Sequence, residues 1–494
     1  MAGLVPNAPE IDASATIPDK PNRPRTRGRV AIRRIRDPAR MLFNSTIFLL
    51  GFLPVALGLH GLVLRWRPSL RPDCLLLLSF VFYGWWDPRF VPLLAVSIGA
   101  NWLVARAYLR SRPRGLIPLA IAANLLALAV FKYLDFLAGL VAWVPGLALP
   151  PIGLALPLGI SFFTFHHCMY LADLRGGRAP AYGLRDYALY IAFFPQVLAG
   201  PLVRWREVMH QFAERAPVDP ARFGQGLMLL CIGLAKKVYF GDPLALTVNP
   251  VFELAAAGGT VTVMQAWQAA LGFTFQIYFD FSGYTDMALG LGLMFGVVLP
   301  PNFDAPYRAT SLRDFWRRWH MTLSRFLRDY LYVPLGGNRH GLARQLLALL
   351  ATMTLGGLWH GAGLTFVAWG VAHGLGLGLG LLWRRGGAAM PAPVGWLLTF
   401  VFVAATWVLF RAPDFPSALR IFDGLVGHAP LGTGLPWRTL APAAAIACLG
   451  PTAWTVVQRI PPTRPAAMVF GLLFVALLLR IGEDANYAFI YFQF

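Results

Sequence analysis

The sequence predicts an all-α polytopic integral membrane protein, and three observations support this fold class. Hydrophobic residues make up 57% of the 494 residues and charged residues only 13%, which is about half the charged share of a soluble chain. Apolar runs recur along the chain and approach about 20 residues, the length that crosses a bilayer as a helix. Because lipid offers no hydrogen-bonding partners, the backbone of each run must satisfy itself within a helix.

The chain opens with a polar segment, residues 1–40, that predicts a disordered basic tail. The segment is rich in proline and arginine, and its low hydrophobicity and repelling charges leave too little apolar surface for a packed core. It lacks the pattern of a signal peptide. A basic tail of this kind either binds anionic lipid headgroups or is a solvated topology signal, and we favour the second.

From Met41 onward the apolar segments follow one another, so residues 41–494 form the predicted membrane domain. They cover residues 42–64, 74–94, 96–109, 115–134, 137–150, 152–172, 185–203, 224–240, 265–279, 281–299, 345–361, 364–383, 396–412, 437–456 and 466–481. Some are short enough to be half-helices, so we expect about 11–14 transmembrane or re-entrant helices. The two halves show no internal repeat, which disfavours the common repeat-built transporters.

The net charge of +20 indicates a membrane topology signal rather than nucleic-acid binding. The 43 Lys and Arg residues outnumber the 23 Asp and Glu residues, but many of them sit in short loops between apolar runs, where they set orientation. We therefore expect the lipid bilayer, and no nucleic acid, as a partner. The orientation of the chain in the membrane stays open, because positive charges flank the first apolar segment on both sides. The basic tail precedes it, and Arg65, Arg67 and Arg71 lie at and beyond its end.

One stretch stands apart from its apolar surroundings, residues 300–341, PPNFDAPYRATSLRDFWRRWHMTLSRFLRDYLYVPLGGNRHG. It interleaves arginines with aromatic residues, and a charge at the bilayer centre costs about 2.5–3.5 kcal/mol. The stretch therefore predicts a helix at the interface or in a protein-lined cavity. Ser311 and Asp314 have the spacing of a helix-capping pair, and Arg325 lies four residues before Asp329, as in a helical ion pair.

His320 is the first candidate catalytic residue. Trp316, His320 and Ser324 follow one another at intervals of four, on one face of the predicted helix, with Arg317 as a neighbour. The cation and the tryptophans are expected to lower the pKa of His320 and keep it neutral, and a neutral imidazole can accept a proton from a hydroxyl. The alternative is a solvated histidine on an interfacial helix.

His360 is the second candidate. It lies in LGGLWHGAG, in a run without Lys, Arg, Asp or Glu from Gln345 to Leu382, and an ionisable residue in such a run is a functional candidate. The flanking glycines weaken the helix and allow a substrate or another backbone to approach. The alternative is glycine-rich helix packing around a hydrogen-bonded histidine. Packing is also our interpretation of His373.

Two aspartates, Asp280 and Asp286, lie between apolar flanks in FDFSGYTDMALG. They could orient a histidine or cap a broken helix. Metal binding does not fit the sequence: His320 and His360 lie on different segments, the cysteines are scattered singly, and no HxxxH or HExxH spacing occurs. We expect no metal site.

At these residues the chain resembles the membrane-bound O-acyltransferase (MBOAT) superfamily, in particular its bacterial branch with alginate O-acetylases and the D-alanyl transfer protein of teichoic acid synthesis. The resemblance covers residues 41–494 and is carried by FDFSGYTDMALGLGLMFG, NFDAPYRATSLRDFWRRWHMTLSRFLRDYLYVPLGGNR and LGGLWHG. It implies a ring of helices around a central conduit that donor and acceptor enter from opposite membrane faces. Members of the family usually begin near Met41, so residues 1–40 are an unusual extension or result from a misassigned start.

The resemblance implies that His320 and His360 are the two characteristic, catalytic histidines. The residues expected to support them or to line the conduit are Arg317, Ser324, Asp280, Asp286, Trp316, Trp359 and Asn302. Arg317 or a nearby backbone N–H is the expected donor to the oxyanion. The implied activity is transfer of an acetyl group from a cytoplasmic thioester, acetyl-CoA, toward an extracytoplasmic polysaccharide.

The resemblance also implies a location in the bacterial inner membrane, no bound cofactor and a periplasmic esterase-like partner that passes the acyl group to sugar. Two alternatives stay open. One is D-alanyl or other acyl transfer to a cell-envelope polymer, which differs in its donor. The other is an acyl conduit or transporter without chemistry of its own, which would tolerate loss of either histidine.

Overall fold

All regular secondary structure in the described part of the chain is helical. The computed structural model describes residues 41–141, 150, 152–198, 200–387, 389–461 and 463–483, and the predicted tail, residues 1–40, lies outside them. The α-helices are α1 (Leu53–Trp66), α2 (Arg71–Trp86), α3 (Val91–Ser111), α4 (Leu116–Val141), α5 (Ile160–Arg175), α6 (Leu184–Ala192), α7 (Phe194–Val197), α8 (Trp205–Phe212), α9 (Pro220–Lys236), α10 (Asp242–Ala256), α11 (Val263–Met294), α12 (Leu312–Arg318), α13 (Met321–Leu327), α14 (Gly341–His360), α15 (Leu364–Arg385), α16 (Ala392–Arg411), α17 (Phe415–Leu425), α18 (Trp437–Leu449), α19 (Ala453–Arg459) and α20 (Arg464–Glu483).

Eight helical stretches among the described residues are long and apolar enough to cross a membrane. They are Ile47–Trp66, Pro88–Ser111, Leu116–Val141, Pro220–Ala256, Gly341–His360, Leu364–Arg385, Ala392–Arg411 and Arg464–Ile481. A ninth candidate is the pair α18 and α19, which meet at an angle of 64°. The predicted class, a multi-pass α-helical membrane protein, is therefore confirmed, with fewer long spans than the expected 11–14 helices because several apolar segments form short or broken helices.

The longest helix, α11, forms the centre of the packing. Its 32 residues correspond to a length of about 48 Å, and most of its side chains are buried from Ala266 to Met294. The prediction of two separate segments, 265–279 and 281–299, was wrong, because the helix runs through without a break. Its start is fixed by Thr262, which accepts a hydrogen bond from the Gln265 backbone N–H.

Glycines bring α9 against α11 at backbone contact. A Cβ atom added to Gly226 would lie 2.7 Å from the carbonyl oxygen of Gly290, and one added to Gly233 would lie 2.5 Å from that of Gly283. Small residues allow helices to approach closely in a membrane, where packing rather than the hydrophobic effect drives association. This contact carries the end of α9, with Lys236 and the residue after it, directly against the middle of α11.

Candidate active site

His320 lies at a break between two short helices. The helix predicted through this region ends at Arg318; the backbone of Trp319 is extended, and His320 adopts φ 42° and ψ 54° in the left-handed region. The backbone at the break pairs with the preceding loop: Met321 N–H donates to the Asn302 carbonyl over 2.9 Å. The prediction that Trp316, His320 and Ser324 share one helical face was therefore wrong.

Asn302 fixes the tautomer of His320. Its side-chain oxygen accepts the Thr322 backbone N–H over 3.1 Å and the Thr322 hydroxyl over 2.9 Å. A backbone N–H can only donate, so the Asn302 atom is the carbonyl oxygen, and the His320 Nδ1 atom 3.1 Å away from it must carry the proton. Nε2 then holds the lone pair, and it has no hydrogen-bond partner within the described residues.

The pKa of His320 is lowered as predicted, but burial, and not a neighbouring cation, is the cause. The imidazole is fully buried and lies outside the membrane spans. Burial, which disfavours the charged form, lowers the pKa of His320 well below its ordinary value. Arg317, expected to be the neighbouring cation, is exposed on the outer side of α12. It is therefore also not positioned to stabilise an oxyanion beside His320.

His360 is the last residue of α14, and α4 holds this helix end in place. Lys132 Nζ lies 2.5 Å from the Trp359 carbonyl and 2.9 Å from the His360 carbonyl, and the Tyr133 hydroxyl donates to the Leu358 carbonyl over 2.8 Å. The last carbonyls of a helix lack partners within it, and a cation there is also favourable to the helix dipole. Lys132 and Tyr133 thus position His360 through its backbone.

The two candidate histidines meet inside an aromatic cage. The ring centroids of His320 and His360 lie 6.5 Å apart, although 40 residues separate them in sequence. Around His360, the rings of Trp359, Trp369 and Phe410 lie at 4.8, 5.3 and 5.2 Å. Both histidines are buried in this structure.

The cage contains two buried indole donors and a third histidine. The Nε1 atoms of Trp359 and Trp369 have no hydrogen-bond acceptor among the described residues. His373 accepts from Trp316 Nε1 at Nδ1 over 3.2 Å, so its Nε2 carries the proton and donates to the Thr406 hydroxyl over 3.1 Å. With both nitrogens satisfied, His373 packs the cage, in line with its interpretation as a packing residue.

The other residues predicted to support the site lie elsewhere. Asp280 and Asp286 face lysines on the neighbouring helix: Lys237 Nζ is 2.6 Å from Asp280 Oδ1, and Lys236 Nζ is 2.6 Å from Asp286 Oδ2. The two aspartates therefore neither orient a histidine nor cap a broken helix. Ser324 donates to the Trp319 carbonyl over 3.3 Å and stabilises the break.

Two further predicted contacts of the 300–341 segment can be compared with the structure. The Ser311 hydroxyl accepts the Asp314 backbone N–H, as the capping spacing predicts. The pairing of Arg325 with Asp329 was wrong. Arg325 pairs with Glu207 over 2.9 Å, and Asp329 pairs with arginines Arg204 and Arg328.

Sequence reasoning missed the three lysines of this region. Lys132, Lys236 and Lys237 are cations inside or at the edge of the apolar segments 115–134 and 224–240. A cation in an apolar run needs a partner, so the same argument that singled out His360 applied to them. What the sequence does not contain is the identity of each partner, because those partners lie on other helices.

Comparison with known proteins identifies the family that this chain is similar to. The pattern of the MBOAT, membrane-bound O-acyltransferase family, matches residues 161–412, which contain both candidate histidines. A peptidoglycan O-acetyltransferase of Helicobacter pylori is 38% identical over 427 residues, covering 78% of this chain and 80% of the relative. A probable alginate O-acetylase, AlgI, of Pseudomonas putida is 37% identical over 496 residues, covering 92% of this chain and all of the relative. A teichoic acid D-alanyltransferase of Streptococcus thermophilus is 26% identical and covers 46% of this chain and 57% of the relative.

Proposed function

Since this chain belongs to the membrane-bound O-acyltransferase family and is an O-acyltransferase, we propose that it moves an acetyl group from acetyl-CoA in the cytoplasm toward a hydroxyl of an extracytoplasmic polysaccharide. The inner membrane is its proposed location, and a periplasmic esterase-like protein is its proposed partner. The observation that carries the chemistry is the lone pair of His320 Nε2, held uncharged and without a partner beside His360.

In the proposed reaction His320 is the general base. Its Nε2 atom removes the proton of the acceptor hydroxyl as the oxygen attacks the thioester carbonyl, and the carbon–oxygen bond forms. The tetrahedral oxyanion then collapses, the carbon–sulfur bond breaks, and the leaving thiolate takes the proton back from Nε2. The Nδ1 proton stays on His320 and keeps donating to the Asn302 oxygen throughout, which holds the ring in one orientation.

The oxyanion has two candidate donors in the cage. The indole N–H groups of Trp359 and Trp369 are buried and lack acceptors among the described residues, and both rings adjoin His360. Donors held in a dry site stabilise a developing negative charge without reorganising. These two N–H groups replace Arg317 in the proposed mechanism.

The charge distribution supports an orientation that the sequence left open. The short connections from α1 to α2 and from α3 to α4 are at the same membrane face if these helices alternate in direction. Their basic residues are Arg65, Arg67, Arg71, Arg110, Arg112 and Arg114. By the positive-inside rule this face is cytoplasmic. Arg71 also donates to the carbonyls of Gln211 and Phe295 over 2.6 and 2.8 Å, so the C-terminal end of α11 is at this face.

The test uses protein purified in lipid vesicles and acetyl-CoA labelled in its acetyl group. We expect label to leave the thioester and to appear as an ester on the acceptor or on the esterase-like partner. Release of CoA must match ester formation one to one. Transport of label across the vesicle with the thioester intact would favour the conduit, and turnover of a D-alanyl donor instead would favour the other acyltransferase.

The hydrogen bond from His320 to Asn302 makes a prediction about pH. The N302D variant keeps an acceptor for Thr322 and for the Nδ1 proton but places a negative charge beside the ring, which raises the pKa of His320. A base is active only above its pKa. We expect wild-type activity to be flat on the acid side and that of N302D to fall at mildly acid pH, as measured by initial acetylation rates from pH 5 to 8.

The matched variant N302L removes the acceptor instead of charging it. We expect a loss of about 10- to 100-fold at every pH, because the Nδ1 proton is left without a partner and the ring loses its fixed tautomer. A pH profile of N302D identical to that of the wild type would contradict the assignment of His320 as the base.

A further inference from the structure

A groove lies between the membrane-spanning helices α3 and α4, with the start of α5 behind them. Its cavity volume is about 250 Å³, and an apolar cavity of roughly 150 Å³ can already hold a small hydrocarbon in place of water. The wall of the groove is apolar apart from Ser97, Asn101, Asn124 and Thr164. The groove is therefore large enough for a ligand, and its surface favours an apolar one.

The groove is long and narrow. On α3 its lining residues run from Leu93 to Val104, and on α4 they run from Ala120 to Phe131, which is about 16 Å along each helix at 1.5 Å per residue. The hydrocarbon core of a bilayer is about 30 Å thick, so the groove is about as long as the hydrocarbon of one leaflet. A helix, at about 10 Å across, is too wide for this volume, whereas a single hydrocarbon chain fits.

The polar side chains that α3 and α4 place in the groove are paired within the protein. The amides of Asn101 and Asn124 bind each other over 3.0 and 2.7 Å. Each also donates to its own helix, Asn101 to the Ser97 carbonyl and Asn124 to the Ala120 carbonyl. The Ser97 hydroxyl lies 3.0 Å from Nε2 of His167. Since buried polar groups need partners and these have them, the groove does not require a polar ligand such as a sugar.

Basic residues lie beyond one end of the groove. The connection between α3 and α4 carries Arg110, Arg112 and Arg114, and all three are exposed. The sequence has no Asp or Glu between Asp87 and Asp135, so neither helix supplies a charge that would neutralise these arginines over most of its length. Clustered arginines at a membrane surface attract anionic lipid headgroups.

The distance from these arginines to the groove matches the dimensions of a lipid. The groove begins about 10 Å before the end of α3, measured from Val104 to Ser111, and about 6 Å after the start of α4, measured from Leu116 to Ala120. The headgroup layer on each side of a bilayer is roughly 5–8 Å thick. A lipid whose phosphate lies at the connection therefore has its chains at the level of the groove.

We propose that this groove binds one acyl chain of an anionic phospholipid, whose phosphate lies against the arginines of the connection between α3 and α4. With the orientation above, the lipid belongs to the cytoplasmic leaflet. Its chain packs against Phe131, the residue before Lys132, which together with Tyr133 holds the helix end at His360. The lipid thus supports the helix that positions His360, and its binding does not depend on which acyl group the protein transfers.

The test is a titration of purified, lipid-stripped protein with phosphatidylglycerol, followed by native mass spectrometry. We expect one lipid to bind with a Kd at least about 10-fold lower than that of phosphatidylcholine with the same chains. Replacing Arg110 and Arg114 together with glutamine should raise the Kd about 10- to 30-fold, the effect of two lost cations at the surface. The matched control R65Q/R67Q removes the same charge from the connection between α1 and α2 and should leave the Kd unchanged.

Two adjacent alanines of α4 test the groove itself. Ala123 lines the groove, whereas Ala122 is also exposed but lies outside the set of lining residues. The A123F substitution places a ring where the acyl chain packs and should raise the Kd about 10-fold or more. A122F adds the same ring outside the groove and should leave the Kd unchanged.

A test on the wild-type protein covers the case in which A123F does not fold. Phosphatidylglycerol with chains too short to reach Phe131 should bind at least about 10-fold more weakly than the long-chain lipid, because each methylene that leaves water contributes to binding. Equal affinity for phosphatidylglycerol and phosphatidylcholine, equal affinity of A123F and A122F, or no dependence on chain length would each overturn the proposal. Tighter binding of an isoprenoid phosphate or a free fatty acid than of phosphatidylglycerol would overturn the assignment of the occupant.

Discussion

Replacing His320 with asparagine is expected to lower acetyl transfer by about 10²- to 10⁴-fold, the usual contribution of a general base, while folded protein is retained. The substitution removes the Nε2 lone pair, which the mechanism uses as the base. An asparagine amide can still donate to Asn302 as Nδ1 does now. The measurement is the single-turnover rate of label transfer from acetyl-CoA, compared at equal amounts of folded protein.

Asparagine is a better test than alanine because of the backbone at this position. His320 has φ 42°, a conformation that asparagine tolerates and that strains alanine. A loss of activity in H320A would therefore mix chemistry with misfolding. The exposed His428 provides the control. The H428N substitution removes an imidazole from the protein surface and should leave the rate unchanged. An H320N protein with wild-type rate would remove His320 from the mechanism.

The fold class follows from the sequence because its cause is local. A run of apolar residues must become a helix in lipid whatever its neighbours are, and the run at 345–361 became α14 within a few residues. The break at His320 has no such local cause. It depends on Asn302, whose backbone carbonyl accepts the Met321 N–H in place of a helical carbonyl. The spacing of residues within the segment cannot reveal this tertiary hydrogen bond.

The same distinction applies to the site. His360 was identifiable because a histidine in an apolar run is costly by itself, and its family motif lies in consecutive residues. The meeting of His360 with His320 required the packing of α14 against the broken segment. The role of Asp280 could not be read locally either, because its lysine partner comes from the far side of the glycine contact between α9 and α11.

The Lys237→Met substitution is expected to cause a large loss of stability. The Lys237 ammonium is 2% exposed and lies 2.6 Å from Asp280 and 2.8 Å from Asp242. Removing one partner of a buried ion pair costs about 3–5 kcal/mol, which is a large part of the 5–15 kcal/mol that typically holds a fold together. The readout is the fraction of monodisperse protein after heating in detergent.

Charge, rather than the loss of a long side chain, should account for this effect. Methionine nearly matches the lysine chain, so the variant removes the ammonium and leaves two carboxylates in a space with little water. Changing Asp280 and Asp242 to asparagine as well should recover much of the lost stability, because no uncompensated charge remains. The pair of the exposed Arg89 and Asp87 offers the opposite case, since R89M removes a solvent-screened charge and should leave stability nearly unchanged. A K237M protein as stable as R89M would contradict this prediction. The ion pairs of Lys237 would then contribute no more than a surface pair, and the close approach of α9 to α11 would depend on its glycines alone.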